Sequence, residues 1–439
     1  MPISRRDLLL ASAGMAATSG FTTFPGFTPA HAQDVTLRYK PEPGASLRIL
    51  RWSSFVKADE ETWLANTKKF SDLTGVPVRV DKESWEDIGP KAAVAASVGS
   101  GPDMIMVWLD NAQLYADKLL DMTDLADYLS GKYGGWYPNL ALYSLKDKKF
   151  IGLPLATIGN AICYRDSWVK QAGFSAFPKD TAGFLEVCKA LKGIGHPAGF
   201  TLGHGVGDGN NFCYWVLWSH GGKVVDDAGK VVINSPETIA ALRYVRQLYP
   251  TFIPGTETWL DVNNNRAFLA GEISATANGI LMYLASKNDS QYASMKGDVK
   301  AVNMPVGPTG VPAEMFATSS IVGFKYTKYP NALKAYLQFM FEAPQMNAWI
   351  EGSAGSYCQP LKAFAANPIW TSDPNMIPFS RASEILRPSG YSGPLGEASA
   401  TVLADYIVVD MVAEAATGKA TPEEAAKRAE ERAKRYYRS

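Results

Sequence analysis

The segment "LGHGVGDGNNFC", residues 202–213, gathers reactive residue types more densely than any other stretch of the chain. It holds His204, Asp208 and Cys213, with glycines at 203, 205, 207 and 209. A dinucleotide loop needs G-x-G-x-x-G, so that a helix N-terminus can meet the pyrophosphate; the spacing here is G-x-G-x-G-x-G. A zinc site needs Cys and His at short fixed intervals, and His196, His204, His220 and Cys213 do not supply them. These histidines read as polar loop residues. The chain contains no H-E-x-x-H, no G-x-S-x-G and no G-x-x-x-x-G-K-[ST]. Carboxylate pairs for glycoside hydrolysis are defined by separation in space, and the sequence singles none out. No catalytic residue, no metal ligand and no cofactor is expected.

Recognition chemistry is better represented. Trp52-Ser53-Ser54-Phe55, Glu83-Ser84-Trp85 and Trp108-Leu109-Asp110-Asn111 each follow a short apolar or alternating run. Asn278-Gly279 follows "ISATA", and Ser356-Tyr357 follows "EGSAG". Aromatic rings and amides thus collect where strands should end. In open α/β sheets, ligands bind beyond the carboxyl ends of the strands. Sugars suit such a lining, because their C–H faces stack on rings and their hydroxyls need paired donors and acceptors.

The elements that must hold these residues are legible in the periodicity. "LRILRW" reads as a strand. "DEETWLANTKKFSDLTG" spaces Trp63, Leu64, Thr67, Phe70 and Leu73 as a helix that Gly75 stops. "VPVRVDKES" alternates as a strand, "GPKAAVAASVGSG" is a small-residue helix, and "DMIMVWLD" is apolar throughout, as a strand covered on both faces should be. This order predicts an α/β layer with a parallel sheet. "FIGLPLATIGNAICYRDSWVKQAG" gives two apolar runs divided by Gly159-Asn160, then a helix. "PAGFTLG" is expected as a strand, and "SPETIAALRYVRQLYP" as a helix capped by Ser235 or Asn234 with Pro236 in its first turn. Further strands are expected at "ISATANG", "KAVNMPVGPTGVP" and "SSIVGFKY", and mostly helix from Asn331 onward.

Composition narrows the function classes. The chain has 439 residues, with 43 basic and 43 acidic side chains. Nucleic-acid binding needs a clustered positive excess, so no nucleic acid is expected as partner. The basic run "AAKRAEERAKRYYR" reads as the solvated face of a terminal helix. Cys163, Cys188, Cys213 and Cys358 show no C-x-x-C spacing and are expected as buried thiols with at most one bridge. At the N-terminus, Arg5 and Arg6 precede a weakly apolar run, and Ala30-His31-Ala32 fits a cleavage site. Residues 1–32 are therefore expected to be a signal peptide of twin-arginine type, cleaved near Ala32, with an ordinary secretory signal as the alternative. A soluble periplasmic protein is the expectation.

Several segments together resemble a known family. "FSDLTGVPVRV" is similar to its F-x-x-x-T-G-I-x-V helix-into-strand segment, and "SGPDMIMVW" to its G-x-x-P-D-I strand. "GLPLATIGNAICYRDSWVKQAG" resembles the crossover into its second lobe, and "AFLAGEISATANGILMY" the F-x-x-G-x-x-A-M-x-x-x-G return. The stretch from Gly390 to Glu431 resembles its terminal helices. The departures are Tyr164-Arg165 for Tyr-Asn and Ser274-Ala275 for Ala-Met. The family is that of the bacterial ABC-transporter extracellular solute-binding proteins, family 1, which includes maltose- and other sugar-binding proteins.

The resemblance implies an α/β, two-lobed periplasmic-binding-protein fold, type II-like, with the ligand in a cleft. Residues 34–155 plus 274–328 would form the first lobe, and residues 156–273 plus 329–439 the second. A monomer would capture a small-molecule solute, a sugar or polyol, by hinge closure and deliver it to the transmembrane subunits of an ABC permease, without chemistry. The candidate ligand contacts are Ser53, Trp85, Trp108, Asp110 and Asn278 from the first lobe and Asn160 from the crossover. Asp208, Asn211, Trp215, Ser356 and Tyr357 come from the second. A polyamine, another small solute, or a sugar-acting hydrolase on the same cleft remain the alternatives.

Overall fold

Three runs open the fold as strands: β1 (Leu47–Trp52), β2 (Val78–Glu83) and β3 (Met104–Trp108). The computed structural model describes residues 35–437 apart from Phe55; the expected signal peptide, residues 1–32, lies outside them. β1 pairs in parallel with both neighbours, Leu47 opposite Val78 and Ile49 opposite Met104. β3 is buried along its whole length, as its unbroken apolar run requires. The helices between the strands are Lys57–Thr74 and Ile88–Val98. Each ends at a glycine in the left-handed region, Gly75 and Gly99, where a side chain would be strained.

The chain continues through a hairpin, β4 (Leu145–Lys146) and β5 (Lys149–Phe150), into β6 (Leu153–Ile158) and β7 (Asn160–Arg165). Later come β8 (Ala275–Gly279), β9 (Val299–Val302) and β10 (Ala317–Gly323). The larger sheet has the order β2-β1-β3-β10-β6, and the smaller one β8-β7-β9. β10 lies antiparallel between β3 and β6. "PAGFTLG" does not become a strand; it makes one bridge, Ala198 to Phe252.

β6 and β7 belong to different sheets, and Gly159 alone separates them. A Cβ at Gly159 would sit 2.7 Å from the Phe379 carbonyl oxygen and 2.9 Å from its Cα. The close approach is to backbone, which yields less readily than a side chain. Gly159→Ala is therefore expected to destabilise the fold by about 1–3 kcal/mol, measured by urea denaturation. An unchanged midpoint would show that the backbone at residue 379 gives way freely.

Pairing redistributes the expected segments. Within 274–328, β8 and β9 both pair with β7, and β10 alone joins the larger sheet. Helices Pro330–Phe341 and Ala343–Gly352, expected with the second lobe, pack on Lys57–Thr74 beside the larger sheet. Aromatic contacts fix that packing. Trp63 meets Trp349 edge-on with centroids 5.5 Å apart, and the Thr67 and Tyr336 hydroxyls lie 2.8 Å apart.

A buried ion pair locks the same region. Arg51 Nη2 donates to Asp59 Oδ2 at 2.7 Å, and the two side chains are 1% and 0% exposed. Trp349 Nε1 donates to the other Asp59 oxygen, and the Arg51 guanidinium lies over the Trp63 ring at 4.7 Å.

Around the smaller sheet, helices Asp208–Ser219, Pro236–Leu248, Ile407–Thr417 and Pro422–Ala433 pack together. Ser235 caps the second of these by accepting from the Thr238 N–H, with Pro236 in the first turn, as the sequence implies. The last helix buries Ala425, Ala426, Ala429 and Ala433 and turns its basic residues outward. Among the described residues, no helix is long and apolar enough to cross a membrane.

Candidate functional site

The glycine-rich loop before helix Asp208–Ser219 presents backbone N–H groups, as any helix N-terminus does. The anion that meets them belongs to the chain itself. Asp261 accepts from the Gly207 N–H at 3.1 Å and from the Asp208 N–H at 2.7 Å. The glycines permit this approach: a Cβ at Gly205 would lie 2.7 Å from Asp261 Oδ1, and one at Gly209 would lie 2.2 Å from the Gly203 carbonyl oxygen. The loop thus resembles a nucleotide loop because it solves a similar problem, seating a carboxylate rather than a phosphate.

This loop forms one wall of a cleft of about 390 Å³. Three asparagines complete a polar network. Asp208 Oδ2 accepts from Asn264 Nδ2 at 2.8 Å and from Asn278 Nδ2 at 2.9 Å, and Asn278 also donates to Asn265. Burial pushes Asp208 well above the usual carboxylate range, and the nearby Asp261 charge adds to the push. Burial lifts Asp261 to about 6, while the two N–H bonds pull it down and Glu86 pushes it up. In the same lining, Asn160 Oδ1, Asn211 Oδ1 and Ser356 Oγ are buried with no hydrogen-bond partner.

The lining is also aromatic. Trp52 and Trp85 both line the cleft, edge to face with centroids 5.1 Å apart. Trp108 stacks behind Trp85 at 3.8 Å and donates its Nε1–H to the Trp85 carbonyl at 3.2 Å. Tyr357 completes the wall, 6.5 Å from Trp52.

Of the residues expected from sequence, the cleft lining brings together Ser53, Trp85, Asn160, Asp208, Asn211, Asn278, Ser356 and Tyr357. Trp108, Asp110 and Trp215 lie outside it. Trp108 is 1% exposed and supports Trp85 from behind. Trp215 is buried in its helix and donates to the Pro305 carbonyl at 2.9 Å. The chain turns at Leu109, φ 46°, and Asp110 beyond it is buried, bonded by the Ser389 hydroxyl. Trp52, Glu86, Asp261 and Asn265 line the cleft without having been singled out. The polar run "DVNNN" at 261–265 was the available signal for the last two.

Asp110 carries a pH consequence. Burial lifts it to about 7, whereas in the unfolded chain it titrates near the usual 3.9 or so. Between those values the folded protein keeps a proton that the unfolded chain has released. Its contribution to stability is therefore full below about pH 4, falls as pH rises to about 7, and is level above. Asp110→Asn keeps an acceptor for Ser389 and removes this slope. Relative to the parent, its urea midpoint is expected to rise between pH 4.5 and 7.5 (roughly the window set by these values). A parallel pH profile for the two proteins would refute it.

The remaining reactive residues lie apart from the cleft. His196 stacks on Trp168, His204 on Tyr406, and His220 leans on Tyr244. The four cysteines are unpaired and buried, and burial pushes each thiol up, away from the reactive thiolate. Among the described residues, no group of three or more His, Cys, Asp or Glu is placed to hold a metal ion.

Comparison with known proteins agrees with this architecture. A family model described as bacterial extracellular solute-binding protein matches residues 65–378. A probable ABC transporter-binding protein of Deinococcus radiodurans is 21% identical over 300 residues, 66% of this chain and 69% of that protein. Among solved structures, maltose-bound MalE3 of T. maritima superposes with a TM-score of 0.75 at 21% identity, over 89% of this chain and 99% of that one. A sugar transporter from Arthrobacter chlorophenolicus A6 with bound laminaribiose gives 0.76 at 16% identity, over 89% and 99%. At these identities the likeness establishes the fold, an α/β architecture of two lobes.

Proposed function

The chain belongs to the bacterial extracellular solute-binding proteins, and from that premise we propose that it is the periplasmic receptor of an ABC importer for a carbohydrate. One observation carries the choice of solute. The cleft is lined both by the Trp52 and Trp85 indoles and by amides and carboxylates, with buried acceptors on Asn160 and Asn211 that lack a partner. A sugar ring satisfies both sets at once, its C–H face on the indoles and its hydroxyls on the polar groups. Laminaribiose and maltose in two neighbours of the same fold support this reading.

In this proposal the first lobe carries the larger sheet and the second the smaller one, with Gly159 at one crossover between them. Solute seated between the lobes favours the closed form, a hinge transition. It does so only by as much as it binds that form more tightly. The closed monomer then docks on the permease's transmembrane subunits. The cleft residues hold the solute and return it unchanged.

The test is a thermal-shift screen of the protein against mono- and disaccharides, polyols and polyamines. A ligand of the folded state stabilises it by RT ln(1 + [L]/Kd), about 2.7 kcal/mol at a hundredfold excess over Kd. Stabilisation by a carbohydrate that is recovered intact supports the reading. A shift with polyamines alone would replace the solute, and product formation would make the protein an enzyme.

A further inference from the structure

Resting on the carbohydrate reading, we propose that the solute carries a protonated amine on its polyhydroxyl frame, as an amino sugar or amino polyol does. Among the described residues, three carboxylates line the cleft, Glu86, Asp208 and Asp261, and no Lys, Arg or His does. Arg266 lines an adjoining hollow instead. Among the described residues, no ion pair joins any of the three carboxylates to a cation of the protein. Asp208 and Asp261 accept amide and backbone N–H bonds and Glu86 is exposed, so a cation that compensates their charge would come from outside the chain.

The hydrogen-bond inventory points the same way. Asn160, Asn211 and Ser356 are only 4%, 5% and 7% exposed, and each leaves an oxygen in the lining unpartnered. The Asn278 amide, which lines the cleft, already donates to Asp208 and Asn265. Asn160 Oδ1 and Asn211 Oδ1 are pure acceptors, while the unpartnered Ser356 and Tyr357 hydroxyls and the Trp85 indole N–H of the same lining can donate. An ammonium donates three bonds and accepts none.

Electrostatics and the aromatic wall add to this. Asp208 and Asp261 face each other in a desolvated wall, and burial with their mutual repulsion keeps the pair reluctant to ionise fully. Closure over a neutral ligand would desolvate them further without compensation. A cation between them and Glu86 compensates all three. The indole faces of Trp52 and Trp85 attract a cation as readily as a C–H surface.

The experiment is isothermal titration of the full chain with ligands matched except for the amine. The pairs are D-glucosamine against D-glucose, and fully deacetylated chitobiose against cellobiose. N-Acetylglucosamine serves as the frame with its charge removed, and spermidine as the charge without the frame. At least one aminated sugar is expected to bind about tenfold or more tighter than its neutral and acetylated counterparts. Asp261→Asn and Glu86→Gln are each expected to narrow that ratio. Glu86 is exposed, so its variant tests the charge without disturbing the fold.

Equal or tighter binding of the neutral or acetylated sugar overturns the inference and leaves the carbohydrate reading standing. Failure of every aminated sugar to saturate at millimolar concentration also overturns it. Binding of spermidine with no sugar of either kind overturns the carbohydrate reading as well.

Discussion

Asp59→Ala is expected to destabilise the protein by about 3–5 kcal/mol, because it strands a charge where water cannot reach. Arg51 is 1% exposed, and its Nε and Nη1 have no hydrogen-bond partner among the described residues, so Asp59 holds it through Nη2, with the Trp63 face against the guanidinium. The loss would extend to the Trp349 indole, which donates to the same carboxylate. Replacing both partners with apolar residues, Arg51→Met with Asp59→Leu, is expected to recover most of the stability, since well-packed apolar pairs substitute for buried ion pairs at little cost. Urea unfolding of the three proteins decides it. A single variant within about 1 kcal/mol of the parent would mean that the pair is screened as a surface pair is. The pair also bears on the cleft, because Arg51 adjoins Trp52 in β1, and Trp52 is part of the aromatic wall.

Trp85→Ala is expected to weaken the binding of whichever solute stabilises the protein by 10- to 100-fold, roughly 1.4–2.7 kcal/mol. The ring is half-buried, with one face stacked on Trp108 at 3.8 Å. That stack holds the ring in place in the cleft lining before solute arrives, which is what makes an aromatic anchor effective. Trp85→Phe keeps a smaller ring on the same support and is expected to fall between the parent and the alanine variant. Titration calorimetry measures all three. Unchanged affinity in the alanine variant would place the solute elsewhere along the cleft, against Trp52 and Tyr357 alone.

The alternation of strand and helix over residues 47–108 is legible because each element carries its own period and its own stop. Gly75 ends the first helix as read, and Ser235-Pro236 opens another as read. Strand ends were equally legible, which is how Ser53, Trp85 and Asn278 could be named for a cleft they do line. Facing is harder. Trp52 and Trp108 both close parallel strands, yet one meets the cleft and the other lies behind Trp85, because the stacking of neighbouring strands decides the direction. Trp215 sits in a helix buried on nearly every side, so no amphipathic stripe reveals which face looks toward the cleft. Asp261 was hidden for another reason. Its partners, the N–H groups of Gly207 and Asp208, are more than fifty positions away, and no local pattern announces such a contact. The pairing of β8 and β9 with β7 is likewise a matter of long-range register.

The four sealed thiols make the order of events matter. Cys163, Cys188, Cys213 and Cys358 are unpaired in the folded chain, so any bridge among them is a wrong one, and four cysteines can pair off completely in three ways. A chain that met an oxidant before folding would be open to all three. One that folds first is not, since each sulfur is then reached only when the surrounding structure opens. Oxidation at these sulfurs is accordingly gated by how often the surrounding structure opens. A thiol reagent that counts no sulfurs in buffer and four in denaturant would time that opening directly.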